Sequence, residues 1–295
     1  MKKKIVITGA TGFVGSNLTK YLIDKNEFEI HLIIRSNSNL ENIDSFKELV
    51  NIFTYDGELN KLMFFFKKIN PDTVFHLASN FIAEHESSDI DTLIDSNITF
   101  GLHILEAMKV SNTKKLINTG TSWQHYKNEG YNPVCLYAAT KQAFESLIEY
   151  YSQAESFKVI TLKLFDTYGE NDKRLKLINL LNKYADDGTI LKMSPGEQIL
   201  NLVHVDDVCN AFYIASKNIL DKHYVGANNY SVSNPESYKL KDLIHLFENV
   251  SGKKIKVNWG GRPYRNREVM RLWDKGQKLP NWNASISLKK GLKKY

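Results

Sequence analysis

Three side chains of the kind that transfer protons stand in an order that suits a single site. Tyr137 and Lys141 are four residues apart in the run LYAATK, and Ser122 lies fifteen residues before the tyrosine. A separation of four places the tyrosine and the lysine on one face of a helix. A phenol with an ordinary pKa of about 10 hardly ionises at neutral pH, and a nearby ammonium favours the phenolate. The spacing therefore predicts a tyrosine that donates and accepts a proton, with a lysine that lowers its pKa.

A glycine motif near the start of the chain predicts a binding site for a dinucleotide. Gly9, Gly12 and Gly15 are spaced by three and follow the apolar run 5–7. Such glycines permit a tight turn, let the main chain approach a pyrophosphate and allow a helix to pack closely on a strand. The start of that helix supplies free N–H groups and a positive dipole end. Thr11, Phe13 and Val14 belong to the same loop and are predicted to contact the cofactor.

The residues after the second apolar run favour NADP(H) as the cofactor. Arg35 stands where NAD-specific proteins tend to carry an acid for the ribose hydroxyls. A guanidinium can pair with a 2′-phosphate, and Ser36 and Ser38 can donate further hydrogen bonds. The alternative is an exposed arginine that only stacks on the adenine.

Two later strand ends are also expected to contact the cofactor. Asp56 and Gly57 follow the third apolar run and are placed to meet the adenine, although Asp56 could equally cap the helix that begins near Glu58. Leu77, Ala78 and Ser79 follow the fourth run and are placed along the sugars and phosphates.

The apolar pattern predicts a doubly wound α/β fold with a parallel sheet. Short apolar runs alternate with longer amphipathic stretches, which is typical of a sheet covered by helices on both faces. Residues 1–165 are predicted to form a dinucleotide-binding domain. Residues 166–295 are predicted to form mainly a smaller C-terminal lobe over the cleft, from which a strand and a helix could return to the first domain. The strand candidates are 5–7, 30–34, 52–55, 73–77, 116–119 and 159–164, and the later helix candidates are 175–185, a segment from 206, and 240–250.

Composition excludes several other classes of protein. The net charge is +6, and four lysines cluster in residues 289–294, which we interpret as a solvated basic tail rather than a surface for nucleic acid. Cys135 and Cys209 are the only cysteines, and they form no disulfide pattern or metal-binding cluster. No apolar stretch approaches the roughly 20 residues that span a bilayer. We expect a cytoplasmic protein without a metal or a membrane segment.

Over essentially its whole length the chain resembles the extended short-chain dehydrogenase/reductases that modify nucleotide sugars. The resemblance implies that Tyr137 is the general acid, that Lys141 holds the nicotinamide ribose, that Ser122 bonds the reacting carbonyl and that Asn97 completes a proton relay. It also implies a Rossmann-type fold, cofactor contacts from Phe165 and Thr167, and a homodimer built on two long helices, which could instead simply pack on the sheet. The matching segments are 9–15, 76–78, 97, 122, 137–141, 163–169, 203–208, 261–263 and 286–292.

Departures from the relatives narrow the implied reaction. Nucleotide-sugar 4,6-dehydratases place an Asp-Glu pair after the serine, where this chain has Trp123 and Gln124. The 4-epimerases keep an acid after the second strand, where Arg35 stands. The resemblance therefore implies an NADPH-dependent 4-ketoreductase, most similar to the CDP-abequose and CDP-paratose synthase type, acting on a CDP-linked 4-dehydro-6-deoxy or 3,6-dideoxy sugar. The alternatives are a 4-epimerase with tightly bound NAD and a non-catalytic dinucleotide sensor.

The substrate side of the predicted site has its own departures. A basic residue that often contacts the diphosphate is replaced by Leu200, so Arg262, with Arg265 or Arg267, would have to neutralise it. Relatives often carry asparagine where Asp166 stands. The predicted substrate contacts are Ser122, Trp123, Gln124, Asp166, Asn201 and Arg262.

Overall fold

Seven parallel strands form the central sheet of this protein. The computed structural model describes residues 2–294. Met1 and Tyr295, the end residues of the predicted domains 1–165 and 166–295, lie outside the described residues. The strands of the described chain, including those outside the central sheet, are β1 (Lys3–Thr8), β2 (Phe28–Arg35), β3 (Asn51–Tyr55), β4 (Thr73–His76), β5 (Lys115–Thr121), β6 (Lys158–Leu164), β7 (Asp166–Tyr168), β8 (Ile190–Met193), β9 (Ile199–Leu200), β10 (Leu202–His204), β11 (Ala227–Val232), β12 (Tyr238–Lys239) and β13 (Lys256–Trp259). The order in the main sheet is β11-β6-β5-β4-β1-β2-β3.

Helices cover both faces of this sheet, as near-continuous apolar strands require. Ile5, Val6 and Ile7 of β1 are all buried although they point to alternate faces. The helices are α1 (Phe13–Lys25), α2 (Leu59–Ile69), α3 (Ile90–Ile94), α4 (Phe100–Val110), α5 (Leu136–Glu155), α6 (Leu177–Asp187), α7 (Val205–Asn218), α8 (Leu240–Ser251) and α9 (Leu288–Leu292). One apolar cluster lies under α1 and α7, and a second lies under α2, α4 and α5.

The predicted doubly wound α/β class is confirmed, and strands lie at all six candidate positions. The helical segment between β4 and β5 is interrupted. A π-helical turn, Asp95–Thr99, separates α3 from α4 and contains the buried Asn97. Single π turns within helices often occur at functional sites.

The chain after residue 165 serves both parts of the molecule. β11 pairs with β6 in the main sheet, and α7 packs beside α1. The remainder forms a smaller unit around its own apolar cluster, with the short pairs β7–β10, β8–β13 and β9–β12 and the helices α6 and α8. The division at residue 165/166 stays a prediction. Between residues 2 and 294, no helix has the length and apolar character needed to cross a membrane.

Candidate functional site

The glycine loop joins β1 to α1 through close contacts of the main chain. Gly9 has φ +73°, and a Cβ there would lie 2.6 Å from the Ala78 nitrogen. A Cβ on Gly15 would lie 2.1 Å from the Gly9 carbonyl oxygen. Gly12 is the N-cap of α1, has no side chain to bond the free N–H groups of the first turn, and a Cβ there would meet only the Gly9 oxygen at 3.4 Å. The loop thus leaves a helix N-terminus open to an anion, as a pyrophosphate requires.

A cavity of about 520 Å³ opens beside this loop, and we call it the glycine-loop cavity. It extends over the carboxyl ends of β1, β2 and β4, where parallel sheets bind nucleotides. Phe13, Val14, Gly15 and Ser36 were also predicted to contact the cofactor, but they are not among the lining residues. The predicted residues that do line it are Gly9, Thr11, Gly12, Arg35, Gly57, Leu77, Ala78 and Ser79.

Arg35 lines this cavity at the end of β2. Within the described chain its guanidinium takes part in no ion pair, and its main-chain N–H donates to the Ser38 hydroxyl at 3.0 Å. The one carboxylate in the lining is Asp95, which comes from the helical side and lies near Tyr55. The end of β2 therefore presents a free cation and a hydroxyl to whatever binds there.

Asp56 does not face the glycine-loop cavity, which corrects one of the two interpretations of this residue. Its carboxylate accepts hydrogen bonds from the Lys61 ammonium and from the Glu58 main-chain N–H, the latter at 3.2 Å. The structure supports the local interpretation, since both partners lie at the start of α2, of which Glu58 is the N-cap.

Tyr137 and Lys141 lie one turn apart on α5 and are both buried. Burial raises the pKa of Tyr137 to about 12, and the hydrogen bond with Ser79 opposes that rise only in part. Burial lowers the pKa of Lys141 to about 8, with the Glu145 carboxylate acting in the opposite direction. The net pKa of this phenol lies above its ordinary value because desolvation of the phenolate is the largest effect, and the influence expected from Lys141 stays a prediction. Tyr137 is therefore protonated at neutral pH.

Asn97 ties the loop after β4 to the helix that carries Tyr137. Its side-chain oxygen accepts from the Ser79 hydroxyl at 3.0 Å and from the Asn80 N–H at 2.8 Å. Its amide nitrogen donates to the Thr140 hydroxyl at 2.9 Å and to the Asn80 carbonyl oxygen. These contacts fix the position of Ser79 beside Tyr137.

Ser122 begins the turn after β5 and lines a second cavity, of about 370 Å³. We call it the tryptophan cavity because Trp123 and Trp273 both line it. Phe81 lies between this cavity and Tyr137. The centre of the Phe81 ring lies 5.5 Å from the centre of the Trp123 ring and 4.9 Å from that of the Tyr137 ring. The structure thus brings the Ser122 turn and Tyr137 to either side of one aromatic side chain.

Four basic side chains and the carboxylates of Asp166, Asp172 and Glu268 line the tryptophan cavity. Arg265 lies against Trp123, with 5.9 Å from its guanidinium carbon to the ring centre. The Nε atoms of Arg265 and Arg267 are buried without a hydrogen-bond acceptor. Asp166 also lines the cavity, and burial raises its pKa while Lys176 and Arg265 oppose the rise. The cations in the lining are Lys176, Arg262, Arg265 and Arg267.

Several residues predicted to bind ligand lie elsewhere or face another way. Gln124 is fully buried and bonds Glu145, Gln142 and the Thr121 N–H, so it does not reach the cavity. Asn201 is also buried, and its amide binds main-chain atoms of Asn234 and Glu236. Both were expected to contact substrate, and both instead satisfy polar groups of the protein. Phe165 and Thr167, expected at the cofactor, line the tryptophan cavity.

Sequence reasoning missed three prominent residues of the tryptophan cavity. Phe81 lies under the Lys176 ammonium at 3.8 Å, and Trp273 stacks on His125 with ring centres 3.9 Å apart. Phe81 lies two residues after the segment 77–79 at the end of the fourth strand, and this position could have indicated that it lies near the site. Lys176, at the start of the predicted helix 175–185, and Trp273, in an irregular segment, carry no such signal.

The family comparisons agree with this geometry. The profile of the NAD dependent epimerase/dehydratase family matches residues 5–226, so the chain belongs to that family. It is 32% identical over 271 residues to the CDP-abequose synthase of Yersinia pseudotuberculosis, with 90% of each chain covered. It is 26% identical over 297 residues to the CDP-abequose synthase of Salmonella muenchen, covering 100% of this chain and 97% of the other. The resemblance drawn from the motifs is thereby confirmed.

Solved structures show the same fold at lower identity. The UDP-glucose 4-epimerase of Thermotoga maritima, determined with UDP-glucose, superposes with a TM-score of 0.84 at 20% identity and covers 99% of this chain and 96% of its own. A dTDP-glucose 4,6-dehydratase of Bacillus anthracis, determined with NAD, gives 0.81 at 20% identity, with coverages of 99% and 94%.

The glycine-loop cavity fits the dinucleotide that the family description names. The open N-terminus of α1 and the close packing at Gly9 and Gly15 are features that suit a dinucleotide with its phosphate groups. Among residues 2–294, no three or more His, Cys, Asp or Glu side chains come together in a way that could hold a metal ion.

Proposed function

We propose that this protein reduces the C4 keto group of a nucleotide-linked 4-dehydro-6-deoxy sugar, or its 3,6-dideoxy form, with NADPH. The nucleotide is CDP, by analogy with the two CDP-abequose synthases, and the product serves surface polysaccharide biosynthesis. The glycine-loop cavity binds the cofactor and the tryptophan cavity binds the nucleotide sugar. Bound NADPH supplies the hydride.

The observation that carries the proposal is Arg35. A cation without a carboxylate partner at the end of β2 suits the 2′-phosphate of NADPH, whereas an acid there would repel it. NADPH points to net reduction followed by exchange of the cofactor. A 4-epimerase oxidises and re-reduces the same sugar and has no need to exchange it.

The catalytic side chains suit the reducing direction. Tyr137 is protonated at neutral pH, so it can give its proton to the alkoxide as charge develops on C4. Ser122 donates a hydrogen bond to the same oxygen, and the ammonium of Lys141 holds the nicotinamide ribose and stabilises the phenolate that remains. Asn97 keeps Ser79 against Tyr137. The residues at 123 and 124 carry no carboxyl group, so the acid and base needed for dehydration are missing there.

The cations of the tryptophan cavity suit a diphosphate. The buried Nε groups of Arg265 and Arg267 make no hydrogen bond, although Arg265 Nε lies 3.6 Å from a Glu84 carboxylate oxygen. Buried donors are usually hydrogen-bonded, and a diphosphate would supply acceptors here. Arg262 and Lys176 line the same space. Trp123 packs against the sugar, and Asp166 accepts a hydrogen bond from a substrate hydroxyl.

We further propose a cytoplasmic homodimer that pairs α4 and α5 with those of a second copy. Tyr150 is exposed on α5, and the two cysteines are unbonded, as expected in a reducing compartment.

The test is oxidation of NADPH and NADH, followed by absorbance, with CDP-, dTDP-, UDP- and GDP-4-dehydro-6-deoxy sugars generated in place by their dehydratases. We expect oxidation of NADPH with the CDP series. The second candidate is a 4-epimerase, because a relative of 24% identity over 313 residues, covering 98% of this chain, is named UDP-glucuronate 4-epimerase. No oxidation with any sugar, together with NAD bound to the purified protein, would replace the reductase by the epimerase.

A further inference from the structure

A buried polar cluster lies behind the Ser122 turn and joins four elements. Gln124 belongs to the turn after β5, Glu145 to α5, Lys163 to β6 and Asn229 to β11. Lys163 Nζ lies 3.1 Å from Glu145 Oε2, and Asn229 Nδ2 donates to the same oxygen at 3.3 Å. Gln124 Nε2 donates to Glu145 Oε1 at 2.9 Å. Both oxygens of one buried carboxylate are thus used to connect the sheet to the helix of Tyr137.

The side chain of Gln124 fixes the turn in which Ser122 stands. Its Oε1 accepts from the Thr121 N–H at 3.0 Å, and its Nε2 donates to Gln142 Oε1 at 2.7 Å as well as to Glu145. The Thr121 side chain in turn accepts from the Trp123 N–H at 3.2 Å. Because both acceptors of Nε2 lie on α5, position 124 needs an amide rather than a carboxylate.

Glu145 lies on the same helix as the catalytic pair, four residues after Lys141 and eight after Tyr137. The main chain of β5 approaches it closely, since a Cβ on Gly120 would lie 3.0 Å from Glu145 Oε1 and 3.1 Å from Gln124 Oε1. A side chain larger than that of glycine at position 120 would therefore collide with this cluster. Lys163 balances the charge of the Glu145 carboxylate. A buried charge without such a partner would be strongly destabilising.

We propose that Glu145 is a positioning residue that sets the distance between Ser122 and Tyr137 by holding Gln124. This rests on the proposed function only in taking Ser122 and Tyr137 as the groups that meet the reacting carbonyl. The turn carries Ser122, the helix carries Tyr137, and the Gln124–Glu145 hydrogen bond joins them directly. A misplacement of about 1 Å in such a pair costs about 100-fold in rate.

The test is an exchange of the amide and the carboxylate. Gln124→Glu sets two carboxylates against each other, and we expect kcat to fall by about 100-fold while the Kd for NADPH stays near the wild-type value. Glu145→Gln leaves Lys163 without its carboxylate, and kcat should fall as well. The double variant Gln124→Glu/Glu145→Gln restores one carboxylate and one amide at the 124–145 contact but not the Lys163–Glu145 ion pair, so kcat and the unfolding midpoint should both recover in part and exceed those of the single variants. A role in general stability alone would not predict recovery of kcat at temperatures where all variants are folded.

The matched control is Glu149→Gln, which removes an exposed carboxylate one turn further along α5 and should leave kcat unchanged. If Gln124→Glu yields no folded protein, Gln124→Met takes its place, and a lower kcat is again expected. Wild-type turnover tests the proposed function by itself, and the ratio of variant to wild-type kcat tests this inference on whichever reaction, reduction or epimerisation, the wild type catalyses. Near-normal kcat in the single variants, or a double variant as slow as the singles, would overturn it.

Discussion

The two cavities that meet near Tyr137 are built from different parts of the polypeptide. The glycine-loop cavity is formed largely by main chain and small residues at strand ends in the first hundred residues. The tryptophan cavity is formed by long side chains that come together from segments between Phe81 and Trp273. The first is therefore set by the sheet itself, and the second by how the C-terminal unit packs against it. We expect substitutions in the first to affect folding and cofactor, and substitutions in the second to affect only the sugar nucleotide.

The largest effect on turnover is expected at Tyr137. This residue lines neither cavity, but it lies where the cofactor and the nucleotide sugar are proposed to meet. Tyr137→Phe removes the proton donor but keeps the ring that contacts Phe81. Turnover should fall by about 10²- to 10⁴-fold, while NADPH binding, measured by fluorescence titration, stays near normal. Tyr150→Phe, on the exposed side of the same helix, is the control. Normal turnover in Tyr137→Phe would mean that another group donates the proton.

Substitutions at Gly12 and Gly15 distinguish an effect on stability from an effect on cofactor binding in the glycine-loop cavity. Gly15→Ala drives a Cβ to 2.1 Å from the Gly9 oxygen, so we expect a loss of about 3 kcal/mol in unfolding free energy. Gly12→Ala has room within the protein and a negative φ, so its stability should change little, while NADPH binding weakens because the Cβ occupies the space of the phosphates. Gly130→Ala, where nothing lies within 4 Å of a Cβ, is the control. Equal unfolding midpoints for Gly12→Ala and Gly15→Ala would contradict this account.

The difference between the two cavities also explains which parts of the structure the sequence could predict. The strands, the parallel sheet and the glycine loop follow from local patterns, because each depends on residues adjacent in the chain. Gln124 and Asn201 were misassigned because a polar residue in a motif can bond either a ligand or the protein, and only their partners decide. Glu145 for Gln124, and Asn234 for Asn201, lie 21 and 33 residues away. Trp273 was missed because its stacking on His125 depends on the packing of an irregular segment.

Arg35 tests whether the glycine-loop cavity selects its cofactor through one side chain. Arg35→Ala should lower the preference for NADPH over NADH by about tenfold, because a charge-assisted hydrogen bond to the 2′-phosphate is lost. The ratio of kcat/KM for the two cofactors measures it. Lys20→Ala, an exposed cation on α1, should leave the ratio unchanged. An unaltered ratio in Arg35→Ala would favour an arginine that only stacks on the adenine.

Arg265 makes the corresponding test on the tryptophan cavity. Arg265→Met keeps an apolar stem beside Trp123 but removes the cation, so the KM for the nucleotide sugar should rise by about fivefold, in the range of one hydrogen bond. The Kd for NADPH should not change, because the glycine-loop cavity contains no atom of this residue. Arg271→Met, an exposed arginine of the same segment, is the control. A weaker affinity for NADPH would mean that the two cavities are not independent.

The smallest effect concerns His76, at the end of β4 between the glycine loop and Lys141. Burial lowers the pKa of His76 to about 3, and the Lys141 charge adds to the shift. Below its ordinary pKa of about 6.5 this histidine binds a proton in the unfolded chain but not in the folded one. The unfolding free energy should therefore fall with decreasing pH, by about 1 kcal/mol between about pH 7 and about pH 5.5 from this group.

Denaturant titrations of wild type and His76→Asn at the two pH values measure this contribution. The wild type should lose more stability than the variant over that interval, whereas His223→Gln, an exposed histidine, should behave like the wild type. Parallel losses in wild type and His76→Asn would contradict it. Because His76 Nδ1 and the Thr8 hydroxyl lie 2.9 Å apart, the result reports on the layer beneath the glycine loop. A neutral histidine there adds no positive charge beside Lys141, whose pKa burial already lowers to about 8.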